Sequence, residues 1–310
     1  MTAPAITTAQ SERRKEPFFR SRSFRKGVVI TLFLLPSAVP LFMFSLFPMF
    51  SSLWTSLHSW NLLSPMEWVG IGNYKALLND PSVWRAFGNT LYYIVGYLPI
   101  VYVGGLTIAL ALNRAMRGRN LIRGAYFLPV VASWIVVALM WRWLLNPSVG
   151  VVNYLLGLIG IDGPGWWTDP MWSMPSVILA SAWKDLGFVM VLLLAGLQAI
   201  PEDFYEASEL DGANAWQRFR YITFPLLTPS TFFVIVISLI NGFQVFDQVY
   251  AMTDGGPAGS STVVMLQIYD MTFRYGEAGK ASALSWLLFI CILVVTVVQV
   301  RGQKRWVHYA

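Results

Sequence analysis

Charge is what this sequence has least of. Only 12% of its 310 residues are charged, about half the share of a soluble globular domain. A mean hydropathy of +0.55 points the same way and excludes disorder, a collagen-like chain and a soluble coiled coil. Cysteine is nearly absent: Cys291 stands alone, so no intrachain disulfide framework is available. His58 falls near a predicted span end and His308 in the C-terminal tail. No His, Cys or Asp grouping has metal-ligand spacing, so no metal site is expected. No serine or cysteine is placed with a histidine for nucleophilic attack, and no clustered polar site speaks for a membrane-embedded enzyme. Gly70-Ile71-Gly72 lacks the third glycine of a dinucleotide fingerprint. A P-loop is missing too: Gly279-Lys280 comes nearest, but position 274 is Arg and position 281 is Ala.

Long apolar runs are present instead. Residues 27–66, 86–113, 124–141, 221–246 and 281–300 contain no Asp, Glu, Lys or Arg, and 174–196 is apolar except for Lys184 and Asp185. Each holds roughly 18 residues or more, enough to cross ~30 Å of hydrocarbon as a helix. None alternates as a barrel strand would. The expected fold class is all-α, a polytopic membrane protein with six transmembrane helices. The spans are placed at about 28–57, 86–113, 124–145, 174–196, 227–250 and 280–300, between an N-terminal segment 1–27 and a tail 301–310.

An even number of spans puts both termini on one side. Arg13, Arg14, Lys15, Arg20, Arg22, Arg25 and Lys26 precede the first span, and Arg114, Arg117, Arg119 and Arg123 follow the second. Arg218 and Arg220, then Arg301, Lys304 and Arg305, fall on that same side. Basic residues mark the cytoplasmic side, so both termini are expected there. The net charge of +6 is then a topological bias, and no nucleic acid is needed to explain it. The first run is too long for a signal-peptide core and no small-x-small cleavage site follows it, so a retained anchor is expected. Residues 1–12 are expected to be disordered. Pro36, Pro40 and Pro48 should distort the first span. The outer segments, about 58–85, 146–173 and 251–279, are rich in Gly, Pro, Trp and Asn. Their Trp60, Trp68, Trp84, Trp166, Trp167 and Trp172 suit an interfacial aromatic belt.

The longest connection on the cytoplasmic side, 197–226, is unlike the rest. Glu202, Asp203, Glu206, Glu209 and Asp211 make it acidic, and Phe204, Leu210, Trp216 and Phe219 make it partly apolar. Pro201 fits a first helical position, with acidic residues following at the positive end of the helix dipole. This helix should end near Asp211, with Gly212 in the left-handed position beyond it. Asn214 can cap a second helix with Gln217 as its box partner. That helix should stop before Pro225. Too acidic for an anionic lipid surface, the segment is suited to docking into another protein.

Glu206-Ala207-Ser208, three residues, Gly212, nine residues and Ile222-Thr223-Phe224-Pro225 resemble the EAA loop of binding-protein-dependent ABC importers. Every spacing matches Glu-Ala-Ala, three, Gly, nine, Ile-x-Leu-Pro; Ser208 stands for Ala and Phe224 for Leu. The segments 69–93, 128–156 and 245–262 are similar to carbohydrate-type permeases of that family, on the side of the maltose-type first subunit. The resemblance implies a type I importer permease in the bacterial inner membrane, with a transmembrane domain over 28–300. It implies a second permease subunit, two ABC ATPase subunits carrying ATP and Mg, an external or periplasmic solute-binding protein, and surrounding membrane lipid. It also implies that Glu206, Ala207, Ser208, Gly212, Ile222 and Pro225 form the ATPase-coupling loop. The solute is left open between a sugar and a glycerol-3-phosphate or glycerophosphodiester type.

Polar residues inside spans are candidates for the translocation path because they are costly in lipid. Asn241, Gln244 and Gln248 form a stripe at i, i+3 and i+7 with Asp247 beside it, and Lys184 and Asp185 interrupt the fourth span. Contact between helices is the competing reading for each of them. A secondary transporter or channel is the rival of another class; it would need coupling charges in the spans and often shows inverted repeats.

Overall fold

The protein is described here by a computed structural model that covers residues 22–114, 116–304 and 306–307. Residues 1–12, the basic run before Arg22, Arg305 and His308 lie outside the described residues. The chain divides into two compact units, Met1–Trp54 and Thr55–Ala310.

In the first unit, α1 (Arg22–Leu41) carries Pro36 and Pro40. It continues through a π-helical stretch, Phe42–Leu46, into α2 (Phe47–Ser56). The prolines distort this run without ending it. The widened turns fall between Pro40 and Pro48, where missing N–H groups and ring bulk disturb the hydrogen-bond register.

The second unit opens with a short antiparallel pair, β1 (His58–Ser59) and β2 (Glu67–Trp68), followed by α3 (Gly72–Leu78). Helix α4 (Pro81–Asn113) starts with proline in its first turn, and the Asp80 carboxylate accepts from Ser82 N at 2.8 Å. Then come α5 (Arg119–Val131), α6 (Trp134–Leu144), α7 (Val151–Leu158) and α8 (Ser173–Gln198). The 197–226 segment holds α9 (Asp203–Leu210), α10 (Ala215–Arg218), a π-helical stretch Phe219–Thr223 and α11 (Phe224–Leu226). It leads into α12 (Thr228–Phe243), α13 (Asp247–Met252), α14 (Val264–Tyr269), a π-helical stretch Asp270–Arg274 and α15 (Ala278–Gln303).

Contacts fix the helix directions. Gly96 of α4 lies against Ile178 of α8, Gly104 against Leu186 and Gly105 against Val189. The numbers rise together, so α4 and α8 are parallel. Residues 114–172 must therefore return the chain from one end of this pair to the other. Helix α12 runs the opposite way: Thr231 bonds Tyr102 at 3.0 Å while Gly242 lies against Ile94. Helix α15 starts beside β1, where Gly279 meets the His58 carbonyl, and Trp306 just past its end packs on Phe232. It is parallel to α4 and α8. Tyr93, Val101, Met190 and Leu193 are among the fully buried side chains of the central pair. Helix α5 reaches this core because position 187 is glycine. A Cβ there would lie 1.9 Å from Tyr126 O, so only a bare backbone permits the approach.

Two spans differ from expectation. The third, expected at 124–145, is two helices, α5 and α6, set at 101°. Pro129 lies in the last turn of α5, and Ala132 and Ser133 are extended; the proline weakens the turn and Ser133 restarts it. The fifth, expected at 227–250, is also interrupted. Helix α12 ends at Phe243, Phe246 is non-helical, and Asp247 opens α13. A search for charge-free runs is blind to such breaks because the linking residues are uncharged. Among the described residues, four helices are long and apolar enough to cross a membrane, or up to six if each bent pair counts as one.

Candidate functional site

The two interruptions meet. Trp134 opens α6, Gln244, Val245 and Phe246 join α12 to α13, and all four line one cavity of about 230 Å³. Its remaining wall comes from Tyr93 and Tyr97 on α4, Asp185 on α8, Asn241 on α12, and Asp247 and Gln248 on α13. Irregular backbone at membrane depth is tolerated where it lines such a cavity, and broken helices are where transporters hold solutes.

The polar groups of this wall are linked. Tyr97 Oη donates to Asp185 Oδ2 at 2.7 Å. Gln248 Nε2 donates to Tyr93 Oη at 3.3 Å, and the Tyr93 and Tyr97 rings stack with centroids 5.3 Å apart. Asn241 and Gln244 are exposed and line the cavity, with no side-chain hydrogen bond to another described residue. An aromatic series continues outward from Phe246. It stacks on Tyr250 at 5.5 Å, both touch Tyr269, and Tyr269 meets the exposed Phe273 at 5.0 Å. Arg274 holds the end of this series by pairing with Asp254 at 2.7 Å and Asp270 at 3.2 Å. Burial pushes the Asp270 carboxyl above its usual range, against the pull of the neighbouring guanidinium.

Lys184 is not in the cavity wall. It is 4% exposed, and its ammonium donates to Pro129 O at 3.1 Å and Val130 O at 2.8 Å. It also lies 4.8 Å from the centroid of Trp134. A cation buried in a span needs partners; here they are two carbonyls in the last turn of the broken α5 and an aromatic face. Lys184 therefore braces the break that places Trp134, while its neighbour Asp185 faces the cavity. Of the sequence candidates, Asn241, Gln244, Asp247, Gln248 and Asp185 come together and Lys184 does not. The stripe at i, i+3 and i+7 is not on one helix. The break redirects the chain, and the three residues converge by that route instead. Tyr93, Tyr97, Trp134 and Phe246 were missed. Two tyrosines four apart in a charge-free run were the available signal.

The 197–226 segment is a second constructed site. Gly212 has φ of +73°; its N–H reaches Glu209 O at 3.0 Å and Ala213 N–H reaches Ser208 O at 2.9 Å. This is a Schellman end, which needs glycine at its left-handed position. Asn214 and Gln217 form a reciprocal capping box, with bonds of 2.8 and 2.9 Å. Glu209 pairs with Arg218 across the turn, and Tyr205 Oη lies 3.1 Å from Thr223 Oγ1. Glu206 and Ala207 are exposed, whereas Ser208 is buried and donates to Tyr205 O at 2.7 Å. Ile222 and Pro225 are half-buried. The second helix does not stop before Pro225. Phe224 N–H reaches back to Phe219 O, and the widened turn carries the helix through Phe224–Leu226. It bends by 62° into α12.

A groove of about 520 Å³ runs between this segment and the ends of α4 and α8, with Asn113, Arg114, Tyr205, Trp216, Arg218 and Phe219 in its wall. Asn113 and Arg114, at the end of α4, belong to it. On the outside of the segment Leu210 is 91% and Trp216 68% exposed. Among the described residues, no group of three or more His, Cys, Asp or Glu can hold a metal ion.

This arrangement has relatives. Residues 101–307 match the family described as binding-protein-dependent transport system inner membrane component. The lactose transport system permease protein LacF of Rhizobium radiobacter is 35% identical over 280 residues, covering 88% of this chain and 93% of that protein. The trehalose/maltose transport system permease protein MalF of Thermococcus litoralis is 32% identical over 284 residues, covering 91% and 96%. Among solved structures, a bacterial ABC transporter involved in the import of the acidic polysaccharide alginate aligns with a TM-score of 0.81 and 26% identity. That alignment covers 92% of this chain and 98% of that one. The chain belongs to the binding-protein-dependent transport system inner membrane component family. It is a permease subunit of an ABC importer, and its relatives are permease subunits rather than ATPases.

Proposed function

We propose that this permease passes a saccharide through the cavity at its two helix breaks, driven by ATP hydrolysed on partner subunits. Supporting it is one observation above others: Tyr97, Asp185, Asn241, Gln244 and Gln248, from three separate parts of the chain, converge on that cavity. Their hydroxyl, carboxylate and amide groups suit the hydroxyls of a sugar, and Trp134 and Phe246 offer faces for its apolar side. The names of the relatives, lactose and trehalose/maltose permeases, favour the same solute class.

In this reading the chain makes six crossings. The opposed directions of α4, α8, α12 and α15 need a return between α4 and α8, and the broken α5–α6 pair supplies it. The N-terminal helical run is the first crossing, both termini are cytoplasmic, and the transmembrane domain spans 28–300. A second permease completes the path, and an external binding protein delivers the solute. The 197–226 segment docks on an ABC ATPase that holds ATP and Mg. Its capped helices move as one piece, so closure of the ATPase pair is passed to α8 and α12, which it joins. Rigid-body motion then exposes the cavity to alternate sides.

The test is reconstitution of the chain with its partner permease, ATPases and binding protein in proteoliposomes. ATP-dependent uptake of a labelled disaccharide such as lactose, maltose or trehalose is expected. Solute uptake by the lone chain without any ATPase would overturn the reading in favour of a secondary transporter.

A further inference from the structure

Resting on the reading of this cavity as the solute path, we propose that its wall selects against anions. The imported saccharide then carries no phosphate, carboxylate or sulfonate group.

Asp185 and Asp247 both line the cavity, and none of its lining residues is a lysine, arginine or histidine. Lys184, next to Asp185 in the chain, directs its ammonium to the carbonyls of Pro129 and Val130. Asp185 has one fixed donor, Tyr97, which leaves acceptor capacity for further O–H or N–H groups. Hydroxyls and ammonium groups can donate to these carboxylates. The deprotonated phosphate or carboxylate group of an anionic solute cannot, and it would be brought against two carboxylates with no basic side chain in the cavity wall. Charged side chains in a pathway wall are a direct means of sorting solutes by charge, and repulsion of the wrong solute is as effective as attraction of the right one. The fold itself does not exclude anions, since a structural relative imports an acidic polysaccharide. A wall of this kind disfavours glycerol-3-phosphate and its diesters, one of the two solute types left open by the sequence.

Identification of the solute is not needed for the test. Cys291 is the sole cysteine of this chain, so Cys291→Ala leaves the chain free of thiols, Gln244→Cys places one in the cavity, and the complex with Cys291→Ala alone gives the background rate of the partner subunits. In the assembled complex, its reaction rate is compared between two methanethiosulfonate reagents, one bearing trimethylammonium and one bearing sulfonate. Each forms a mixed disulfide and releases methanesulfinate. The ratio of cation to anion rates should exceed that of a free small thiol by on the order of 10-fold. It should fall back towards the free-thiol ratio when Asp185→Asn and Asp247→Asn are added. A ratio equal to or below that of the free thiol overturns charge selection. ATP-driven uptake of glycerol-3-phosphate or glucose 6-phosphate by the unmodified complex would overturn it as well. Failure of the path reading looks different: a bulky adduct at Gln244→Cys would leave ATPase stimulation by loaded binding protein unchanged.

Discussion

In the 197–226 segment, shaping contacts are short in sequence. Asn214 and Gln217 are 3 residues apart, and Glu209 and Arg218 are 9 apart. In the central cavity they are long: Tyr97 reaches Asp185 across 88 residues and Gln248 reaches Tyr93 across 155. The segment can form its turn by itself and travel as a unit. The cavity exists only once α4, α8 and the two broken spans are packed. In the proposed function the first has to keep its shape while moving, whereas the second gains from being remade as helices shift. Lesions in the two regions should therefore have different consequences.

The largest effect is expected where long-range packing is tightest. Gly187→Val drives side-chain atoms into the Tyr126 carbonyl region, at a cost of about 3 kcal/mol or more. The complex should lose α5 packing, read as a large drop in thermal stability or failure to assemble. Tolerance of valine there would break the comparison at its strongest point. Next, Tyr97→Phe removes the donor to Asp185 and leaves a carboxylate oxygen underbonded, at about 1–3 kcal/mol. Uptake should fall roughly ten-fold while ATPase binding is unaltered.

Smaller effects belong to the local region. Gly212→Ala forces a Cβ into a left-handed conformation at about 1 kcal/mol. ATP hydrolysis should become partly uncoupled from uptake, and Gly212→Asn should restore much of the coupling because asparagine tolerates that conformation. Asn214→Ala loses the capping box at about 1 kcal/mol. It should weaken retention of the ATPase in pull-downs by a few-fold without changing the labelling of a cavity cysteine. If Asn214→Ala alters the cavity as much as Tyr97→Phe does, the two regions are not separate in the way described.

The same contrast explains what the sequence revealed. The turn at Gly212 and the box of Asn214 and Gln217 were legible because their chemistry lies within a few residues. Unbroken spans were legible too: α4, α8 and α15 extend at most a few residues beyond their apolar runs at either end. The broken spans were not, since Pro129 and Ser133, or Gly242 and Asp247, signal a break only weakly inside an apolar run. Asn241, Gln244 and Gln248 were read as one helical stripe, which the bend at Phe246 contradicts. The role of Lys184 needed the carbonyls of Pro129 and Val130, 55 and 54 residues away. Pairs separated this far leave no pattern in a single sequence.

The central claim is that the cavity opens to alternate sides under control of the 197–226 segment. The direct measurement is side-specific labelling of Gln244→Cys in the Cys291→Ala background, in proteoliposomes of known orientation, using a membrane-impermeant thiol reagent. The account predicts labelling from the binding-protein side in the complex trapped with ATP, and from the opposite side without nucleotide. Labelling that is indifferent to nucleotide, or confined to one side in both states, would contradict it.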